Sequence, residues 1–152
     1  MDISIMDSSA ILYIVNNEIH MDGDYYITPD IEDEISINEI STGRRISEYI
    51  NLKSYEELVG IEEASYLFNY QYVLNKYSGK SFYNMTGFGD ISLIALAKTI
   101  ISKTNSDKQP VLLKEYESNV VVYSNDRGFI KRIRQELGNQ TTINDPRFMS
   151  KL

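Results

Sequence analysis

The chain has 152 residues, 42% of them hydrophobic, which is enough for one domain with a buried core and too apolar for a disordered one. It contains no cysteine and a single histidine, His20, so disulfides, thiolate zinc sites, cysteine nucleophiles and histidine-rich metal sites are excluded. A formal net charge of −7 opposes global steering towards nucleic acid, and any such contact must come from a local basic patch or through bound cations.

In chain order, Ile3–Met6 is short, apolar and β-prone, and Asp7-Ser8-Ser9 follows as a polar turn. Ala10–Val15 reads as a helix with Ser8 or Ser9 as its N-cap. Asn16–Asp24 is a polar loop that includes His20, and Tyr25–Thr28 reads as a second strand. Thr28-Pro29 is a helix start, with Thr as cap and Pro at the first helical position. The helix from Pro29 to about Ile40 aligns Ile31, Glu34, Ile35 and Asn38, so Glu34 sits on or beside the buried stripe while Glu32 and Asp33 point to water. A carboxylate in that position is costly unless it is paired, hydrogen-bonded or metal-bound.

Arg44–Leu52 reads as a short helix, and Ser54-Tyr55-Glu56-Glu57 as a capping box opening a long helix to about Tyr77. Ser78–Gly89 is a glycine-containing loop. Asp90 then caps a central apolar helix to about Ser102, because its side chain can accept backbone N–H groups of the first turn. Thr104–Pro110 reads as a linker, and Val111–Glu117 fits helix or strand equally. Val120–Tyr123 is a strongly apolar strand, followed by the turn Ser124-Asn125-Asp126-Arg127-Gly128 and a helix from Phe129 to Leu137 that Gly138 stops. Thr141–Ile143 reads as a last strand, and the tail after Pro146 as an irregular cap.

This alternation predicts an α/β fold: three α/β/α layers in one domain over 1–152, around a mostly parallel sheet of about four to five strands. The N-terminus carries Asp2 and Asp7 where a signal peptide needs positive charge. The most apolar run, Ile91–Ile101, is broken by Lys98 and too short to span a bilayer. The expectation is a soluble cytoplasmic protein with no membrane partner.

Ligands of parallel sheets collect outside the carboxyl ends of the strands. Asp7 and Asp126 follow predicted strands, and Glu34 and Asp90 lie in the first turns of helices that can pack nearby. Taken singly, each has an ordinary reading: turn residue, surface helix residue, N-cap, and turn or N-cap. Gathered at one edge they would repel one another unless a cation were bound, and an all-oxygen set favours Mg²⁺ or Mn²⁺.

Four motifs in this order resemble those of PIN-domain ribonucleases. They are Asp7-Ser8-Ser9-Ala10 after a strand, Thr28-Pro29 with Glu34 downstream, Gly89-Asp90 leading into Leu93-Ile94-Ala95-Leu96-Ala97, and Ser124-Asn125-Asp126-Arg127 after a strand. The resemblance spans nearly the whole chain and implies an α/β/α sandwich and a Mg²⁺- or Mn²⁺-dependent endoribonuclease leaving 5′-phosphate and 3′-hydroxyl ends. It makes Asp7, Asp90 and Asp126 metal ligands, Glu34 the second-motif glutamate and Ser124 the small hydroxyl residue that precedes the last acid by two. The chain departs from the compact toxin members called VapC in its longer interval between Asp90 and Asp126, with an extra segment at about 101–119, and from the ribosome-assembly members in lacking cysteines for a zinc ribbon.

RNA would meet Arg127, Lys131 and Arg134, spaced along one face of the last helix, or Arg44 and Arg45; the alternative for each cluster is a solvated charged face. Tyr13, Tyr83 and Phe88 fit either base stacking or core packing. The resemblance further implies an RNA substrate, with an antitoxin, an RNA-processing or ribosome-assembly partner, or a second copy of the chain as protein partner. The competing reading is a non-catalytic PIN-like module that binds RNA or protein. An aspartyl-phosphate enzyme is disfavoured because Ser9 occupies the position, two after Asp7, where that chemistry needs an acid.

Overall fold

The computed structural model describes residues 2–43, 45–59, 63–77, 87–106 and 119–148. Its strands are β1 (Asp2–Met6), β2 (Asp24–Ile27), β3 (Asn51–Ser54), β4 (Asn119–Tyr123) and β5 (Thr141–Asn144). Its α-helices are α1 (Ser8–Asn16), α2 (Pro29–Thr42), α3 (Glu56–Val59), α4 (Glu63–Tyr77), α5 (Phe88–Ser106) and α6 (Arg127–Leu137). The strands form one sheet in the order β3-β2-β1-β4-β5, and every pairing is parallel. This is the α/β class predicted, with helices flanking a five-stranded sheet. Parallel crossovers are right-handed, so connections running in opposite directions along the sheet place their helices on opposite faces.

The register aligns the strand ends. Met6 pairs with Tyr123, Ile27 with Ser54, and Tyr123 with Asn144. The residues that follow, Asp7, Thr28, Tyr55, Ser124 and Asp145, therefore form a row along the carboxyl edge. From β1 the chain builds outward to β2 and β3, then returns to the other side of β1 with β4 and β5. The topological switch point lies between β1 and β4, where Asp7 and Ser124 emerge.

The core is organised on α5, whose Ile91, Leu93, Ile94, Ala95, Leu96 and Ala97 are all fully buried. α6 is amphipathic: Phe129, Ile133 and Leu137 face inward at offsets of four, and Arg127, Lys131 and Arg134 face out. Gly138 ends it at φ 55°, a left-handed conformation that costs glycine little.

Several local expectations are corrected. β3 occupies part of the stretch read as a short helix, and only Ile46–Glu48 is helical there, as a 3₁₀ turn. Asn51-Leu52-Lys53-Ser54 carries one apolar residue because it is an edge strand, and its backbone pairing with β2 outweighs a weak side-chain pattern. The helix expected from Ser54 to Tyr77 is two helices, α3 and α4. Ser54 closes β3 while its hydroxyl accepts from the Glu56 N–H at 3.3 Å. Asp7, not Ser8 or Ser9, caps α1. α5 begins at Phe88 and runs to Ser106, which puts Asp90 in its first turn rather than at its cap. The Val111–Glu117 segment, Tyr83 and Arg44 lie outside the described residues.

One ion cluster fastens the helical layer. The Glu136 side chain, only 4% exposed, meets Lys76 of α4 at 2.7 Å and Lys98 of α5 at 3.9 Å, and accepts the Tyr77 hydroxyl. Burial pushes the Glu136 carboxyl up, but the Lys76 and Tyr77 hydrogen bonds and the two lysine charges outweigh it and hold the pKa below the ordinary 4.5. A depressed carboxyl pKa adds stability that is complete above the unfolded value and lost as the pH falls through the folded one. Glu136→Gln is therefore expected to cost about 1–3 kcal/mol at neutral pH. Urea titrations at pH 7 and pH 3 check this: the gap between variant and wild type should shrink at the lower pH.

Candidate functional site

The site is built from strand ends and helix starts. Asp7 follows β1 directly, is 2% exposed, and has its N–H bonded to the Tyr123 carbonyl of β4. Its Oδ1 accepts the Ala10 N–H at 2.9 Å, which caps α1, and the Ser9 hydroxyl at 2.8 Å. Its Oδ2 accepts the Ser124 hydroxyl at 2.5 Å. Ser124, fully buried, accepts in turn from the Asp126 N–H at 3.0 Å. Asp126 caps α6, its Oδ1 taking the Gly128 and Phe129 N–H groups at 2.9 and 3.2 Å. Ser124 thus bridges the Asp7 carboxylate and the Asp126 backbone across the switch point.

Burial raises the Asp7 pKa above the usual carboxylate range. Hydrogen bonds from Ser124, Ala10 and Ser9 pull against it, and the nearby Asp126 charge adds to the rise. These three donors fill three of the roughly four acceptor positions of a carboxylate. Among the described residues, Asp7 is a desolvated acid with three donors, beside a second acid.

The other two acids are placed by a second set of hydroxyls. Glu34, half-buried on α2 next to the buried Ile31 and Ile35, accepts the Ser8 hydroxyl at 2.6 Å through Oε2. Glu32 and Asp33 face water, as expected. The start of α5 is pinned to the end of β2 by a buried hydrogen bond between Thr28 and Ser92 at 2.6 Å. Ser92 also donates to the Gly89 carbonyl at 2.6 Å. Asp90, 9% exposed, follows Gly89.

Gly89 lies in close approach to Glu34. A Cβ there would stand 2.5 Å from Glu34 Oε1 and 3.0 Å from Ile31 Cδ1. An open cleft of about 490 Å³ lies beside this contact, lined by Asp30, Glu34, Tyr70, Phe88 and Gly89 among others. Gly89→Ala gives a sharp expectation. Alanine in a helix is worth up to about 1 kcal/mol over glycine, so Tm should hold or rise. Glu34 must swing away from Ser8, and Mn²⁺ affinity measured by calorimetry should fall about 10–100-fold.

The structure therefore joins Asp7, Ser124 and Asp126 in one network and Glu34, Ser8 and Gly89 in a second. Among the described residues, no three Asp, Glu or His side chains stand close enough together to enclose a metal ion. The donor chemistry nonetheless fits a hard divalent cation: the candidates are all oxygen donors, Asp7 and Asp126 at the carboxyl edge of the sheet and Glu34 and Asp90 in the first turns of α2 and α5. Sequence reasoning missed Ser8, Ser9, Thr28, Ser92 and Gly89 as supports. Their signal was the clustering of hydroxyl residues and glycine immediately around the candidate acids.

Of the candidate RNA contacts, Arg127, Lys131 and Arg134 are exposed and line one cleft, with Arg147 and Phe148. Arg45 is exposed ahead of the 3₁₀ turn and does not line that cleft. Phe88 is 60% exposed, and Tyr13 is half-buried. His20 is an exposed loop residue stacked on Tyr49, as its loop assignment implied. No described helix is long and apolar enough to cross a membrane.

Comparison of the chain with protein-family models, with curated proteins and with solved structures finds no match.

Proposed function

We propose that this chain is a Mg²⁺- or Mn²⁺-dependent endoribonuclease of the PIN type. The observation that carries the reading is the Ser124 bridge, which ties the buried Asp7 carboxylate to the Asp126 backbone at the switch point of a parallel sheet. Each acid also caps a helix, but burying the Asp7 carboxyl beside a second acid carries a cost that a bound cation would offset. The ordered four-motif resemblance supports the same reading.

Asp7, Glu34, Asp90 and Asp126 are the residues that would hold the cation. Ser124 and Ser9 fix the Asp7 rotamer, Ser8 fixes Glu34, and Gly89 leaves room for it. A bound Mg²⁺ or Mn²⁺ supplies polarisation of a phosphodiester oxygen and activation of a water. The cellular setting proposed is cytoplasmic, in RNA processing or as the toxin of a toxin–antitoxin pair.

A second reading has its own observation. Three acids do not converge among the described residues, which favours a PIN-like module that binds RNA or protein without cutting. The test is cleavage of a labelled single-stranded RNA pool with Mn²⁺, Mg²⁺ or EDTA, using wild type and Asp90→Asn. Metal-dependent cutting lost in the variant supports the nuclease. No cutting, together with no Mn²⁺ uptake by calorimetry, sinks it in favour of the binding module.

A further inference from the structure

The −7 net charge counts against an RNA enzyme unless cations are concentrated somewhere. They are concentrated in a cleft of about 630 Å³ between the outer face of α6, the end of β5 and the 3₁₀ turn Pro146–Phe148. Arg127, Lys131, Arg134 and Arg147 line it, against one acid, Asp145. Among the described residues, no carboxylate lies within ion-pair distance of Arg127, Lys131 or Arg134.

Arg147 is treated differently. Asp145 grips its guanidinium, with Nη2 to Oδ2 at 2.6 Å and Nε to both oxygens at 3.1 Å. That grip neutralises Asp145, the one acid among the described residues that line the cleft. It also holds the guanidinium 5.6 Å from the centre of the Phe148 ring. Phe148 is 82% exposed, the most exposed large apolar side chain described. A ring held there against a fixed cation is a ready stacking surface.

We infer that this cleft seats a single RNA strand, with phosphates on Arg127, Lys131 and Arg134 and a base stacked on Phe148. Charge alone would accept any polyanion, including an acidic protein segment. The exposed ring favours a polyanion with flat faces, and stacking on it requires an unpaired base. Position adds direction: α6 starts at Arg127, immediately after the cap Asp126, so a strand lying along the cleft runs to the carboxylate edge. The choice of RNA rests on the nuclease reading; the existence of the binding cleft does not.

The test is fluorescence anisotropy of a labelled single-stranded RNA in EDTA, so that binding is read without metal or cleavage. Wild type, Phe148→Ala and the double variant Lys131→Gln/Arg134→Gln are titrated at several salt concentrations; all three positions are exposed, so the variants fold. Phe148→Ala should weaken binding about 5- to 100-fold with an unchanged salt slope. The double variant should reduce the slope of log K against log salt by about 1.4, two single-strand phosphate contacts. Wild-type affinity retained by both variants, or no RNA binding by wild type, overturns the inference. An acidic protein segment that binds wild type while RNA does not would assign the cleft to a protein partner instead. Cleavage with Mn²⁺ is scored separately. Binding without cleavage keeps the cleft and removes the nuclease, whereas cleavage with an unchanged KM in both variants does the reverse.

Discussion

Asp7→Asn is expected to abolish the proposed metal-dependent RNA cleavage, by about a thousandfold or more, and at the same time to raise the melting temperature of the metal-free protein. The loss of rate follows from removing the acid at the switch point; a divalent cation contributes several kcal/mol to charge stabilisation, and about 4 kcal/mol is a thousandfold. The gain in stability follows from the surroundings of that acid. Asp7 is 2% exposed and its carboxyl pKa is raised, chiefly by burial. An acid whose folded pKa lies above its unfolded one loses stability as the pH rises through that interval and stays penalised at neutral pH.

Asparagine keeps the oxygen that caps α1, and Asn is as good a cap as Asp. Its amide group can donate to Ser124, which now donates to Oδ2. The metal-free variant should therefore gain roughly 0.5–2 kcal/mol, a trade of stability for function. Thermal melts with and without Mn²⁺ check both halves. At about 100 times its Kd, Mn²⁺ should stabilise wild type by about 2.7 kcal/mol and the variant not at all. A variant less stable than wild type in EDTA would mean that the hydrogen bonds to the Asp7 carboxylate outweigh its burial cost.

Phe129→Ala gives the largest loss of stability expected, about 3–5 kcal/mol. Phe129 is 1% exposed and heads the buried stripe it forms with Ile133 and Leu137. It is also one of the two residues whose N–H groups Asp126 caps. Emptying its place removes the anchor at the start of α6, where the fourth candidate acid and the basic cleft both begin. For a chain of this size the drop corresponds to roughly 6–20 °C in Tm. Urea unfolding should show a lower midpoint with an unchanged slope. A loss under about 1 kcal/mol would show that α6 is held by its Glu136 ion cluster rather than by its apolar face.

Much of the fold is legible residue by residue. Val120–Tyr123 had to be a buried strand because nothing in it tolerates water. Thr28-Pro29 and Gly138 marked helix ends because their side chains or backbone freedom meet a local need, whereas Asp126, read as a turn residue or N-cap, caps a helix that starts at Arg127 rather than Phe129. β3 was not legible, since Asn51-Leu52-Lys53-Ser54 carries no strong pattern and owes its strand to the ladder offered by β2. Asp90 was taken for a cap, whereas the helix starts two residues earlier at Phe88.

The candidate site divides along the same line. Sequence alone determined the chemistry on offer: four acids, no thiol, one histidine, and hydroxyls and glycine beside the acids. These are properties of single residues and of short-range turn and cap preferences. Only the tertiary structure decided which groups share partners. Ser124 meets Asp7 across 117 positions, Ser8 meets Glu34 across 26, and Gly89 makes space for Glu34 from another helix. Those meetings depend on strand order and register, which arise from pairing distant segments and leave no periodic trace in the chain.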